Sequence, residues 1–287
     1  MSQSPSDRAP VIALTHGGGP LPLLNDPGHA SLIKTLKTKA PPLLKLATTQ
    51  QPKAIVLVTA HWETPTVTIS SAAKPDMLYD YGGFPPETYE YKYPAPGSPE
   101  VAQQVSKALK EAGIQSKMDE HRGWDHGVFV PMLLIHPEGT VPIVQVSVLS
   151  SQNPKDLYAI GRALAPLREH NIAIIGSGSA SFHNIRKMFS GESGTEKFRK
   201  THARFNDKLK ETLEARDGEG RGRALEGWKA WEGAMDMHPQ GRTEHFSPLI
   251  VCAGAAGDVD VDGEGKGKAG VWEDEMMGIG MRGFYWV

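Results

Sequence analysis

Three histidines each follow a short apolar run, and imidazole is the side chain that titrates, binds metals and moves protons near neutral pH. His16 comes after Val11–Leu14 in Thr15-His16-Gly17-Gly18-Gly19, and His61 after Ala54–Val58 in Thr59-Ala60-His61-Trp62-Glu63. His183 comes after Ile172–Ile175, through Gly176-Ser177-Gly178. One such histidine is as readily a hydrogen-bonding residue at a strand end as a functional one. Three in the same setting point to a shared site. A metal centre is the economical reading, because imidazole serves iron, zinc and copper. No local spacing, such as the H-E-x-x-H of metalloproteases, marks a metal by itself.

The elements that must position these residues can be read from the same runs. Each is too short for a helix and rich in β-branched residues, so each reads as a strand buried on both faces. In open α/β sheets ligands bind in the crevice at the carboxyl ends of the strands, which is where the histidines fall. The expectation is a single α/β domain over residues 10–287, with a central mixed sheet flanked by helices and an active site at the strand ends. Helices are expected over Ala30–Gln50, interrupted near Pro41-Pro42, and over Ser98–Ala112, Pro154–His170 and Lys197–Ala215. Further strands are expected at Thr66–Ser70, Val141–Val148 and Met276–Val287. Arg216–Arg223 reads as an exposed turn, and helical patterning resumes at Ala224–Ala234. Asp258–Gly270 reads as a disordered surface segment and residues 1–9 as a flexible leader. Asp80–Gly97 is crowded with aromatics and prolines, the content of an ordered loop that could wall a pocket.

The chain has 287 residues, 39% hydrophobic and 22% charged, enough for one large core. A net charge of −2 and a pI near 6.6 give no electrostatic footprint for nucleic acid or an anionic membrane. Cys252 is the single cysteine, which excludes an internal disulfide and fits a reducing, cytoplasmic setting. His29, His121, His136, His170 and His202 read as surface or structural, and His238, before Pro239, as a loop constraint.

Several motifs, in order, resemble the extradiol ring-cleavage dioxygenases of the DOPA-dioxygenase type, within the class III (LigB-like) superfamily. They are Thr15-His16-Gly17, Thr59–Glu63, Gly83-Phe84-Pro85-Pro86-Glu87, Tyr93–Gly97, Gly123–Gly127, Gly176-Ser177-Gly178 with His183-Asn184, and His238-Pro239 followed by Glu244-His245-Phe246. The resemblance implies that His16 and His61 bind the metal, with His245 as third ligand and Glu244 as the alternative. It implies His183 as catalytic base or additional ligand, and His126 as the histidine facing the substrate. Phe84, Pro85 and Asp125 join His126 as expected substrate-binding residues. The expected cofactor is Fe(II), with Zn(II) fitting the same ligands. The expected reaction opens a catechol-type, DOPA-like ring with O2 to a muconic semialdehyde, in a monomer or homodimer. Ser179–Phe182, Glu192–Lys197 and Asp258–Gly270 depart from the family pattern and bear on pocket shape.

Two other classes fit the same histidines. One is a zinc-dependent hydrolase in which the metal activates water. The other is a Memo-like binding protein without catalysis. Oxygen consumption separates the dioxygenase from both.

Overall fold

The strand runs assemble into one eight-stranded mixed sheet in the order β4-β3-β5-β2-β6-β1-β8-β7. In this computed structural model, which describes residues 8–215, 217–257 and 269–287, β1 is Val11–Thr15, β2 Ala54–Thr64, β3 Val67–Ser70 and β4 Ser116–Asp119. The remaining strands are β5 Ile143–Leu149, β6 Ile172–Gly178, β7 Gly270–Met276 and β8 Ile279–Trp286. Strands β5, β2, β6 and β1 run parallel, so their carboxyl ends share one edge. β8 pairs antiparallel to β1, and β7 to β8.

Alternation along the central strands splits the core in two, as a sheet covered on both faces requires. Val11, Ala13, Ala54, Val56 and Val58 face the helices Pro99–Glu111, Pro154–Leu164 and Ser247–Ala255. Ile12, Leu14, Ile55 and Leu57 face the helices Ala30–Thr38 and His126–Ile135. Among the described residues no helix is long and apolar enough to cross a membrane. Residues 1–7 and 258–268 lie outside the described residues, and with them most of the expected leader and of the expected disordered segment. Ala9, at the leader's end, is buried and gives its N–H to the Arg168 carbonyl at 3.0 Å.

Three sequence expectations need correction. β2 does not stop before His61 but runs on to Thr64, with a register shift against β5 between Thr59 and Glu63. Of the exposed turn expected at Arg216–Arg223, residue 216 lies outside the described residues, and residues 218–223 form most of a helix, Gly218–Glu226. Its Arg221 is fully buried and donates to the carbonyls of Ala253, Ala215 and Gly257, so it caps the carboxyl end of the helix Ser247–Ala255. The closing segment is a hairpin rather than one strand, turning at Met277 (φ 53°) and Gly278 (φ 78°).

Candidate metal centre

The shared edge of the parallel strands gathers the histidines. His16 leaves β1 into a glycine loop whose Gly17 has φ +91°, a conformation that side chains resist. His29, fully buried, accepts the Gly18 N–H at 3.1 Å, and Asp26 lies 2.7 Å from its other nitrogen. His61 sits in the irregular part of β2. Its N–H reaches Thr59 Oγ1 at 3.1 Å, and its carbonyl accepts from Arg122 at 3.1 Å. His245 ends the loop before the helix Ser247–Ala255, and its carbonyl crosses Gly178 so closely that a Cβ there would stand 2.3 Å from the oxygen.

The ring centroids of His16, His61 and His245 form a near-equilateral triangle with sides of 4.8, 5.3 and 4.9 Å. Three imidazoles whose nitrogens lie about 2.1 Å from one ion have centroids about 4.5–5.3 Å apart. His16 Nε2 and His61 Nε2 are 3.1 Å apart, within the roughly 2.9–3.4 Å that two ligands of one such ion require. The arrangement fits a divalent metal.

The network around the rings fixes which nitrogens face inward. Ser177 Oγ lies 3.0 Å from His16 Nδ1 and donates to the carbonyl of Gly127. That carbonyl is free because Pro131, four residues on in the helix, has no N–H to give it. Ser177 therefore accepts from His16 Nδ1–H, and His16 Nε2 is left as a lone-pair donor. Glu244 Oε1 stands 3.0 Å from His245 Nδ1 and does the same for that ring. Asp80 Oδ1 accepts from both the backbone N–H and Nδ1 of His126, at 2.9 and 2.8 Å.

Electrostatics keeps the donors neutral. Burial first, and then the neighbouring histidines, hold His16 and His245 well below the ordinary imidazole value. Burial, with His126 beside it and Asp80 opposing, brings His61 down to about 3. His183 falls to about 4 through burial and then the charges of His126 and Arg242. Burial raises the Glu244 carboxyl. It also works to raise Asp80, but the hydrogen bonds and charge of His126 prevail and hold that carboxyl below its usual value.

The remaining expected residues fall at two sides of this cluster. His183 stacks on His245, with centroids 3.3 Å apart and planes 13° from parallel. Two sets of side chains offer ligand atoms within 4.8 Å of one another: His16, His61 and His126, and His183, Glu244 and His245. His126 lies 3.8 Å from His61 and 5.4 Å from His16 between centroids. On that side Tyr81 stands 5.9 Å from His126 and 5.5 Å from Phe84, whose ring covers Gly19. Pro85 is exposed beside it. Asp125, expected at the substrate, is instead fully buried behind the site, where Thr59, Gln145 and Arg122 all donate to its carboxylate. It holds the His61 bulge. Sequence reasoning gave no role to Asp80 or Ser177, and read His29 only as surface or structural. The faint signals were a lone acid opening the aromatic loop, a serine between two strand-end glycines, and a histidine beside a glycine-rich loop.

Neutral, buried imidazoles converging at the carboxyl ends of a parallel sheet are the donor set of a metalloenzyme. Comparison with known proteins gives the class. Residues 11–276 match the family described as the catalytic LigB subunit of aromatic ring-opening dioxygenase. The dioxygenase tasH of Hapsidospora irregularis is 48% identical, covering 97% of this chain and 85% of that protein. The 4,5-DOPA dioxygenase extradiol of Beta vulgaris is 38% identical, over 73% of this chain and 75% of its own length. A crystal structure of an uncharacterized Escherichia coli K12 protein superposes with a TM-score of 0.67 at 25% identity, covering 98% of this chain and 100% of that one. The chain belongs to the LigB family. It is an oxidoreductase of the extradiol dioxygenase kind, in a family of metal-dependent enzymes, and its histidine cluster could hold a metal.

Proposed function

We propose that the chain is a non-haem Fe(II)-dependent extradiol dioxygenase that opens a catechol-type ring beside the diol to give a muconic semialdehyde. The observation that carries this is the triangle of neutral imidazoles His16, His61 and His245, with nitrogens turned inward by Ser177 and Glu244. His16, His61 and His245 would hold the ion, which would bind the diol and O2 and supply the one-electron chemistry that their reaction requires. The chain's own groups do the rest.

His183 is neutral at pH 7 and takes a diol proton. The parallel stack of its ring on His245 supports the role of base over that of ligand. Glu244, hydrogen-bonded to His245, orients that ligand instead of replacing it. His126 stands on the opposite side of the cluster, where it would give the substrate a hydrogen bond or a proton. The Asp80 carboxylate, 2.8 Å from its Nδ1, holds the ring in place. Phe84 and Pro85 lie on that side as a wall for the ring face.

The test is anaerobic loading with Fe(II), followed by oxygen uptake over a panel of catechols. Uptake matched by a yellow semialdehyde product is the expected result. Zinc on the same ligands cannot carry the redox step, so zinc-loaded protein should be inert. Turnover of a substrate by zinc-loaded protein without oxygen uptake would point to the hydrolase instead.

A further inference from the structure

At the edge of the sheet opposite the histidines, a cavity of about 290 Å³ is lined by Arg8, Arg162, Arg168 and Glu169 around the carboxyl end of the helix Ser247–Ala255. At about 3.3 Å per residue, the chain from Ala9 to His16 puts it roughly 20 Å from the metal centre. Among the described residues the cavity gathers three guanidinium groups and one carboxylate. Arg8 pairs with Glu169 at 3.2 Å in a partly exposed bridge. Arg162, in the last turn of the helix Pro154–Leu164, is exposed and has no carboxylate within ion-pair distance among the described residues.

Arg168 is the buried member, only 4% exposed. Its Nε donates to the Ala9 carbonyl at 2.7 Å, and its Nη1 to those of Ala255 and Ala256 at 3.2 and 2.8 Å. Bracing the chain before β1 and capping the helix end account for those two nitrogens. They do not account for the third. Nη2 has no partner among the described residues and is not enclosed by protein, so it is the edge of the group left to the cavity. Burial and then the charge of Arg8 bring the Arg168 guanidinium down to about 10, with Glu169 opposing. Three positive charges against one negative leave two, the charge of a phosphate dianion. Guanidinium groups also present paired N–H donors at the spacing of phosphate oxygens.

We infer that this cavity binds a phosphate dianion, free or as the end group of a small phosphate monoester, held by Arg162, Arg8 and the Nη2 edge of Arg168. Its volume lies at the small end for ligand pockets, which suits an ion or a short monoester. The site contains none of the metal ligands and stands apart from the ring-cleavage chemistry. It is joined to the metal centre only through backbone. Arg168 ties Ala9, ahead of the strand that delivers His16, to the far end of the helix that follows His245, so a bound phosphate braces two ligand-bearing elements from behind.

Calorimetry on the full chain at constant ionic strength, zinc-loaded and metal-free, tests this and separates it from phosphate bound at the metal. Inorganic phosphate should bind at least about tenfold tighter than acetate. Methyl phosphate distinguishes the two sources: binding as tight as that of phosphate assigns the site to monoesters, and binding of inorganic phosphate alone assigns it to the free ion. Arg162→Gln should weaken phosphate about tenfold. Glu169→Gln, which frees Arg8 and removes a competing anion, should tighten it about threefold. Arg168→Gln also loses the helix cap, so the exposed Arg162 and Glu169 carry the test. Phosphate should raise the melting temperature of the unaltered protein more than that of Arg162→Gln, because only the folded chain assembles the site. In Arg186→Gln/Arg242→Gln, which removes the exposed arginines beside His183, phosphate affinity should stay within about twofold. No saturable binding of phosphate up to about 10 mM would overturn the site. So would binding that survives Arg162→Gln unchanged, or that disappears with Arg186 and Arg242.

Discussion

At the scale of single residues, the site separates groups that hold a metal from groups that act beside it. His61→Ala removes one corner of the triangle, in the irregular stretch of β2 where its side chain is only part-buried, so the fold should persist while metal content falls steeply. Stoichiometric metal in that variant, measured by elemental analysis, would contradict the ligand role. His183→Ala should keep its metal and lose turnover more than substrate affinity, because the residue moves a proton. Loss of metal instead would make His183 a ligand. Ser177→Ala breaks the bond that sets the His16 tautomer and strands the Gly127 carbonyl that Pro131 leaves free. Metal affinity should fall roughly 10–100-fold, the usual effect of removing such a supporting partner, as a competition titration with a chelator would read. His16, His61 and His183 were legible from the apolar runs before them, whereas His126 and His245 came only through the family resemblance. Their supporting residues were not legible, because Asp80 and Ser177 acquire meaning only when the loop after β3 and the end of β6 meet the histidines of other strands.

At the scale of elements, local pattern told most where burial is repetitive. β1, β2 and β6 were legible because unbroken β-branched runs are what a strand covered on both faces needs. The helix Gly218–Glu226 was not, since glycine and charge at that density ordinarily mark a turn. What overrides the propensity is long-range. Tyr158 donates to the Gly218 carbonyl at 2.7 Å, and Arg221 reaches three carbonyls around the end of the helix Ser247–Ala255. Arg221→Met keeps the bulk but leaves those buried acceptors unpaired. It should destabilise the protein by roughly 3 kcal/mol, read as a lower urea midpoint at constant m-value. A change under about 0.5 kcal/mol would mean that the cap is dispensable. The terminal hairpin was read as one strand for a simpler reason. Its turn is Met277-Gly278, and a methionine at positive φ carries none of the Asn-Gly or Asp-Gly signal that announces such turns.

At the scale of the whole molecule, gathering neutral histidines has a thermodynamic sign. The folded protein holds His16, His61, His183 and His245 below the value of about 6.5 that they regain on unfolding. Below that pH the unfolded chain binds more protons, so stability is complete above it and drains away as pH falls toward the folded values, near 4 for His183 and 3 for His61. Each group contributes up to about 1.4 kcal/mol per pH unit in that window. Thermal melts of metal-free protein should therefore fall between about pH 6.5 and 4, and metal loading should shift the decline to lower pH. A flat melting temperature across that range in the metal-free protein would argue against neutral burial of the four rings.

The place of β1 between β6 and β8 sets an order in time. Val11 pairs with Ile174 on one side and with Trp286 on the other, so the strand that carries His16 has no neighbour nearby in sequence. Closing loops of that length is slow and occurs late, whereas β7 and β8 can zip locally. In refolding from denaturant, tight metal uptake should appear only in the slowest phase, after most helical signal has returned. Metal capture in the earliest resolved phase would show that the three ligands meet before the sheet closes. Until β1 is seated, the chain exposes the apolar edges of β6 and β8 together, and the interval before the metal is bound is also the interval of greatest exposure to self-association.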